Sequence, residues 1–133
     1  MRLIVGGQGQ GKLAALLSEQ EIPVEKIADG ETCTRREFEE CLALNHLHWW
    51  IYREIRQEKP AASILQELLE KTGQNSQTIF LCDEIGSGVV PVDPLERKWR
   101  EDTGRICCEL ARRADRVDRV LCGLMVCIKG GDA

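Results

Sequence analysis

The feature that most constrains the fold of this chain is a glycine-rich loop close to its first residue. Residues 6–12 read Gly-Gly-Gln-Gly-Gln-Gly-Lys and fit the spacing G-x-x-x-x-G-K. The apolar run Arg2–Val5 precedes the loop and leucines at helical spacing follow it, so the loop joins a buried strand to a helix. Glycines let backbone N–H groups turn towards phosphate oxygens, the helix N-terminus adds donors, and Lys12 supplies a positive charge. The segment predicts a nucleotide phosphate site, and the alternative is a glycine-rich turn that binds nothing. The predicted nucleotide-binding residues are Gly6, Gly7, Gln8, Gly9, Gln10, Gly11, Lys12 and Leu13.

Two carboxylates, Asp83 and Glu84, follow the most strand-like run of the chain, Thr78–Cys82. An acidic side chain at such a strand end can hold Mg²⁺ or orient a nucleophile beside a phosphate-binding loop. We therefore expect Lys12, Asp83 and Glu84 to act in catalysis, with Asp83 as a ligand of Mg²⁺. The alternative is that one carboxylate only caps the following turn. One position departs from the pattern, because Leu13 has no hydroxyl oxygen for Mg²⁺.

Strands and helices are expected to alternate along the chain. Besides Arg2–Val5 and Thr78–Cys82, a short strand is predicted over residues 24–28. Three helices are predicted: one from the capping-box residue Thr34 to Glu58, one from Ala61 to Lys71 that Gly73 ends, and one from the N-cap Asp93 to Ala114. The apolar segment from Val117 to Ile128 is predicted to be one strand bent at Gly123, or two strands divided there. This alternation predicts an α/β fold with a mostly parallel central sheet.

Composition excludes several classes of protein. The 133 residues are enough for one domain, residues 1–133, with one core. A net charge of −4 argues against a general nucleic-acid binder. No apolar run is long enough to cross a bilayer, and the N-terminus lacks the pattern of a signal peptide, so we expect a cytoplasmic protein without a membrane partner.

The seven cysteines contain no C-x-x-C pair, and we expect free, buried thiols rather than metal ligands or disulfides.

A family resemblance appears in residues 83–91, which read Asp-Glu-Ile-Gly-Ser-Gly-Val-Val-Pro. This segment, together with the paired glycines of the N-terminal loop, resembles the adenosylcobinamide kinase/adenosylcobinamide-phosphate guanylyltransferase family of cobalamin biosynthesis. Further matching positions are Leu95, Arg97, Trp99, Arg100, Gly104, Arg105, Leu110, Ala111, Ala114, Asp115, Val117, Gly123, Val126, Ile128 and Lys129. The resemblance covers about the first 20 residues and everything from Thr78 onwards.

The resemblance implies a P-loop NTPase fold of the RecA-like kind, a three-layer sandwich. It implies ATP- or GTP-dependent phosphorylation of a hydroxyl of adenosylcobinamide, with Mg²⁺. It also implies transfer of GMP from GTP to that phosphate through a histidine, and a homo-oligomer, a trimer.

The middle of the chain, residues 30–77, departs from the family, so the chain resembles a shortened and partly degenerate member. The family's histidine motif is not reproduced, and His46 and His48 are the candidate guanylyl acceptors, with a structural role as the alternative for each. Three hypotheses follow from the sequence. The chain is a nucleotide-dependent transferase, a non-catalytic nucleotide-binding protein of the same fold, or an assembly protein that has lost the ligand.

Overall fold

The computed structural model describes residues 1–86 and 88–131. In chain order the elements are β1 (Arg2–Gly6), α1 (Lys12–Glu19), β2 (Ile27–Asp29), α2 (Arg35–Glu40), β3 (Ala43–Asn45), α3 (Leu47–Arg56), α4 (Ala61–Gln74), β4 (Ile79–Asp83), α5 (Pro94–Arg113), β5 (Arg116–Leu121) and β6 (Leu124–Lys129). Strands and helices therefore alternate through most of the chain, as the sequence predicts.

Six strands form one sheet in the order β2-β3-β4-β1-β5-β6. Every pairing from β2 to β5 is parallel, and β6 returns antiparallel beside β5. The central strand β4 is buried on both faces, with Phe80 and Leu81 each 0% exposed. This explains its continuous apolar sequence, because a strand covered on both faces needs no polar side. The predicted mostly parallel sheet is confirmed.

Side chains on the two faces of the sheet pack into separate apolar cores. Phe80 faces the helices α2 to α5, whereas its neighbour Leu81 faces the other side, where Leu16 of α1 packs. Successive residues of a strand point to opposite faces, so one apolar run can serve both cores. Helices on both faces make three layers, and the predicted three-layer α/β class is confirmed.

Two predicted helix starts have the expected caps. The Thr34 hydroxyl accepts a hydrogen bond from the Glu37 N–H at 3.1 Å, and the Glu37 carboxylate accepts one from the Thr34 N–H at 2.9 Å. At α5, the Asp93 carboxylate accepts from the Leu95 N–H at 3.0 Å. These bonds satisfy N–H groups that the first turn of a helix leaves unpaired.

The long helix predicted from Thr34 to Glu58 is wrong, because strand β3 divides it into α2 and α3. Backbone hydrogen bonds to the neighbouring segments on both sides hold this part of the chain in the sheet. The Leu42 N–H donates to the Lys26 carbonyl at 2.7 Å, and the Leu42 carbonyl accepts from the Ile79 N–H at 2.9 Å. A short apolar run fits a buried strand or a helix face equally well, and here its spatial neighbours select the strand.

Other predicted boundaries shift by a few residues. The strand predicted over residues 24–28 begins as the 3-10 turn Val24–Lys26 and continues as β2. Helix α4 passes through Gly73 and ends at Gln74. The segment from Val117 to Ile128 becomes two strands joined by a tight turn at Cys122 and Gly123, both with positive φ.

No disulfide joins the seven cysteines in the structure, and only part of the set is buried. Cys33, Cys41 and Cys82 are buried, whereas Cys108, Cys122 and Cys127 are exposed, so the prediction of buried thiols is wrong for the last three. No helix within the described ranges has both the length and the apolar character needed to cross a bilayer.

Candidate functional site

Strands β1 to β4 run parallel and end at the same edge of the sheet, where a cleft of about 310 Å³ opens. Carboxyl ends of parallel strands are the usual ligand-binding edge of an open α/β sheet. The cleft is lined by loop residues between Gln8 and Leu13 and, from the other segments, by Glu31, Asn45, His46, Trp49 and Asp83. Its volume is at the small end of the range for ligand sites.

A larger depression of about 490 Å³ lies at the opposite edge, lined by Met1 and Arg2 among others. The Met1 ammonium group there is paired with Asp115 at 2.6 Å and donates to the Ser76 carbonyl at 2.7 Å. The glycine loop and the N-terminus of α1 lie at the smaller cleft instead, so the smaller cleft is the candidate site.

The glycine loop turns from β1 into α1 along a path that requires glycine. Gly9 and Gly11 have φ of +74° and +84°, in the left-handed region that side chains disfavour. A side chain at Gly6 would lie 2.6 Å from the carbonyl oxygen of Val120. The Gly11 carbonyl already accepts from the Ala15 N–H at 2.9 Å, so α1 starts directly at the loop. The positive end of the α1 dipole therefore faces the cleft.

Lys12 is folded back onto the loop and is only 7% exposed. Its ammonium group donates to the Gly6 carbonyl at 3.2 Å and the Gly7 carbonyl at 3.0 Å, and pairs with the Asp83 Oδ1 at 2.5 Å. An ammonium group has three donors, and all three are engaged here. A phosphate oxygen can bind Lys12 only by replacing one of these partners.

The buried His48 contacts Asp83 through both nitrogens of its ring. The Asp83 N–H donates to His48 Nδ1 at 3.1 Å, and His48 Nε2 lies 3.3 Å from Asp83 Oδ2. Burial lowers the pKa of His48 to about 4, and this desolvation outweighs the opposing effect of the Asp83 charge. His48 is therefore neutral at pH 7, with Nδ1 as acceptor and Nε2–H as donor. Its carbonyl accepts from the Trp99 indole N–H at 2.6 Å.

The residues at the loop do not form the usual Mg²⁺ donor set of a phosphate-binding loop. Leu13 has no oxygen, and both carboxylate oxygens of Asp83 face positively charged or N–H groups. The predicted Mg²⁺ role of Asp83 stays a prediction. We name Gly6–Leu13 together with Asp83 the loop wall of the cleft.

Glu84 starts next to Asp83 but is engaged elsewhere. Its backbone N–H donates to the Gly6 carbonyl at 2.9 Å. Its carboxylate forms a two-point ion pair with the Arg119 guanidinium of β5, with distances of 2.9 and 3.1 Å. The predicted catalytic role of Glu84 stays a prediction, and in the structure its carboxylate is paired with β5 rather than with the turn that follows.

Glu31 and His46 also line the cleft, and Asp29 contacts both of them; we name these three residues the strand-end wall. Asp29 ends β2 and His46 directly follows β3. Asp29 Oδ1 lies 2.9 Å from His46 Nδ1 and accepts from the Glu31 N–H at 2.9 Å. Burial alone would raise the pKa of Asp29, but these two hydrogen bonds hold it below its ordinary value. His46 lines the cleft, whereas the ring of the other candidate acceptor, His48, is buried.

Sequence reasoning missed Asp29 and Glu31 as site residues. The available signal was an acid directly after an apolar strand, the same signal that identified Asp83. The strand predicted over residues 24–28 ends one residue before Asp29, and the helix predicted from Thr34 to Glu58 contains no β3.

The two adjacent tryptophans separate into different environments. Trp49 lines the cleft and lies against Trp99, with ring centroids 4.7 Å apart. Tyr52 extends this aromatic group, 5.0 Å from the Trp99 ring. Trp50 is buried and stacks on Phe38 at 4.2 Å. Trp50 therefore packs in the core, as large aromatic side chains commonly do, while Trp49 is available at the site.

Two comparisons with known proteins bear on the family of this chain, and the matched residues include 30–77, where the sequence was expected to depart from the family. The sequence model of the cobinamide kinase / cobinamide phosphate guanyltransferase family matches residues 19–128. The bifunctional adenosylcobalamin biosynthesis protein CobP of Pseudomonas aeruginosa is 29% identical over 93 residues, which are 68% of this chain and 54% of that protein. The chain thus spans about half the length of the curated relative it matches. The glycine loop precedes the residues matched by the family model, so its interpretation depends on its own sequence and geometry.

Proposed function

The chain belongs to the cobinamide kinase / cobinamide phosphate guanyltransferase family, and from this premise we propose that it binds ATP or GTP and transfers a phosphoryl group to a hydroxyl of a cobinamide. The observation that carries the proposal is Lys12, which is buried at the start of α1, paired with the carboxylate of Asp83, and located in the lining of the cleft at the strand ends. This is a positive charge placed where a helix N-terminus favours an anion.

In the proposed reaction the terminal phosphate replaces Asp83 as a partner of Lys12. Loop N–H groups and the Lys12 ammonium then stabilise the charge of the transferred group. Asp83, released from its ion pair, orients the acceptor hydroxyl and takes up its proton. The hydroxyl oxygen bonds to phosphorus while the bond to the leaving nucleoside diphosphate breaks. Positioning and electrostatics supply most of the catalysis in reactions of this class.

Transfer of GMP through a histidine stays a prediction. His46 is the better placed of the two candidates, because it lines the cleft, whereas both ring nitrogens of the buried His48 already contact Asp83. The trimer and the cytoplasmic location expected from the sequence also stay predictions.

A second candidate function is nucleotide binding without turnover. Two observations favour it: Leu13 provides no metal ligand, and the three donors of Lys12 are already engaged. A protein of this kind binds nucleotide saturably and yields no phosphorylated product.

The proposed function is tested by incubating the purified chain with adenosylcobinamide and γ-labelled ATP or GTP, and separating the products. Labelled cobinamide phosphate is expected from the wild-type chain. Lys12→Ala is expected to lower turnover at least about 100-fold, a loss of about 2.7 kcal/mol of transition-state stabilisation. Lys26→Ala, at an exposed lysine, is the matched control and is expected to retain turnover.

Equal turnover by wild type and Lys12→Ala would overturn the proposal. Saturable nucleotide binding without any labelled product would instead establish the second candidate.

A further inference from the structure

Three side chains with metal-ligating atoms converge on the strand-end wall. One carboxylate oxygen of Asp29, one of Glu31 and one ring nitrogen of His46 all lie within 4.8 Å of one another. These residues come from the ends of two neighbouring parallel strands and from the turn after the first, so the topology of the sheet brings them together. The group is a mixed one, an imidazole with two carboxylates, rather than a patch of acidic residues.

The main chain fixes these ligands in place independently of any contact among their side chains. The Gly30 N–H donates to the Asn45 carbonyl at 2.7 Å, and a side chain at position 30 would lie 2.3 Å from the His46 carbonyl oxygen. The Arg53 guanidinium donates to the carbonyls of Gly30 and Cys33 at 2.9 and 2.8 Å. His46 itself is held in the left-handed conformation at φ 56°. Ligands whose backbone is already ordered lose little freedom when an ion binds.

We propose that Asp29, Glu31 and His46 bind a first-row divalent metal cation at the strand-end wall. Imidazole nitrogen together with carboxylate oxygen suits ions of this class, whereas Mg²⁺ and Ca²⁺ prefer oxygen ligands alone. Asp29 and Glu31 balance the charge of a divalent ion. Asp29 is half-buried and Glu31 exposed, so the ion reaches its ligands from the cleft and keeps water on its open side.

The location of this cation relative to the nucleotide rests on the proposed function. Glu31 and His46 line the same cleft as Lys12, so a bound cation faces the phosphate-binding loop. It gives the phosphates a second positive partner in a protein whose Leu13 cannot hold the usual Mg²⁺. Binding of the cation itself does not require the nucleotide, and it can be measured alone.

The test is a titration of the full chain with Mn²⁺, without nucleotide, following the electron paramagnetic resonance signal of the free ion. Mn²⁺ is chosen because the exposed Cys108, Cys122 and Cys127 bind softer ions such as Zn²⁺. One Mn²⁺ per chain is expected. His46→Gln and Glu31→Gln are each expected to weaken the Mn²⁺ affinity at least about tenfold.

Glu25→Gln, at an exposed acid next to β2, is the control and is expected to keep the wild-type affinity. Thermal unfolding of each variant shows whether it folds, and the exposed position of Glu31 makes that substitution the safer of the two. Absence of saturable Mn²⁺ binding, or unchanged affinity in both variants, overturns the inference.

Lys12→Ala separates this inference from the proposed function. That variant is expected to lose nucleotide binding and retain Mn²⁺ binding. A wild-type chain that binds Mn²⁺ at these residues but no nucleotide would refute the proposed function alone. A wild-type chain that binds nucleotide but no Mn²⁺ would refute the cation site alone.

Discussion

The loop wall and the strand-end wall both contribute residues to one cleft, but they differ in how far their polar groups are exposed to solvent. On the loop wall, Lys12 is 7% exposed, and its three donors are engaged by two carbonyls and Asp83. On the strand-end wall, Asp29 and His46 are half-buried and Glu31 is exposed. The loop wall must therefore exchange partners to bind an anion, whereas the strand-end wall holds acceptor atoms that solvent, and therefore a cation, can reach.

This difference teaches that a phosphate-loop motif in the sequence does not by itself provide a lysine that is free to bind phosphate. The loop of this chain has the backbone and the lysine of such a site, but the lysine is paired with Asp83. Binding of nucleotide then depends on the free-energy difference between two partners of the same ammonium group, the carboxylate and the phosphate.

The largest expected effect comes from breaking the strand-end wall with Gly30→Ala. The added Cβ would lie 2.3 Å from the His46 carbonyl oxygen, so β2 and β3 must separate. We expect the free energy of unfolding to fall by about 3 kcal/mol, the upper end of overpacking costs. Mn²⁺ binding should be lost as well, while the loop wall keeps its geometry.

Gly104→Ala is the matched control, because nothing lies near the position of its added Cβ within helix α5. It should raise the free energy of unfolding by roughly 0.5–1 kcal/mol. Urea unfolding of both variants and the wild type checks this prediction, and equal stability of the two variants contradicts it.

A smaller effect is expected from titrating His48, which supports the loop wall. Burial lowers its pKa from 6.5 to about 4. Between these values the unfolded chain binds a proton that the folded chain does not, so stability falls as the pH drops through this window. We expect a loss of about 2 kcal/mol between pH 6.5 and about 4.5.

His48→Asn keeps an acceptor for the Asp83 N–H and removes the titration. Its free energy of unfolding should therefore depend less steeply on pH between 6.5 and 4 than that of the wild type. Urea unfolding at pH 7, 6 and 5 measures both slopes, and identical slopes would show that His48 does not titrate as described.

The smallest expected effect sharpens the comparison by releasing Lys12. Asp83→Asn removes the charge that competes with phosphate, so nucleotide affinity should rise about five- to tenfold, or roughly 1–1.4 kcal/mol. Turnover should fall, because Asp83 no longer accepts the proton. Asp93→Asn serves as control, since asparagine caps a helix about as well as aspartate. A drop in the nucleotide affinity of Asp83→Asn would mean that this carboxylate assists binding.

The loop wall was predictable from sequence because its signals are local. The glycine spacing, Lys12 and the acid after β4 lie in short segments whose geometry follows from neighbouring residues. The capped starts of α2 and α5 were predictable for the same reason.

The strand-end wall was not predictable, because it depends on β3. Ala43–Asn45 is three residues long and forms a strand only because β2 and β4 pair with it on both sides. Such long-range pairing leaves little trace in local sequence, and the apolar pattern there equally suits a helix. The burial of His48 is likewise a tertiary effect, since it arises from the packing of α3 against β4 and α5.

The central claim is that the loop wall binds nucleotide phosphates through Lys12. Calorimetric titration of ATP and GTP, with and without Mg²⁺, into the wild type and Lys12→Ala tests it directly. The account predicts saturable binding by the wild type and affinity at least about 100-fold weaker for Lys12→Ala. Equal affinity in the two proteins, or no binding of either nucleotide by the wild type, would contradict it.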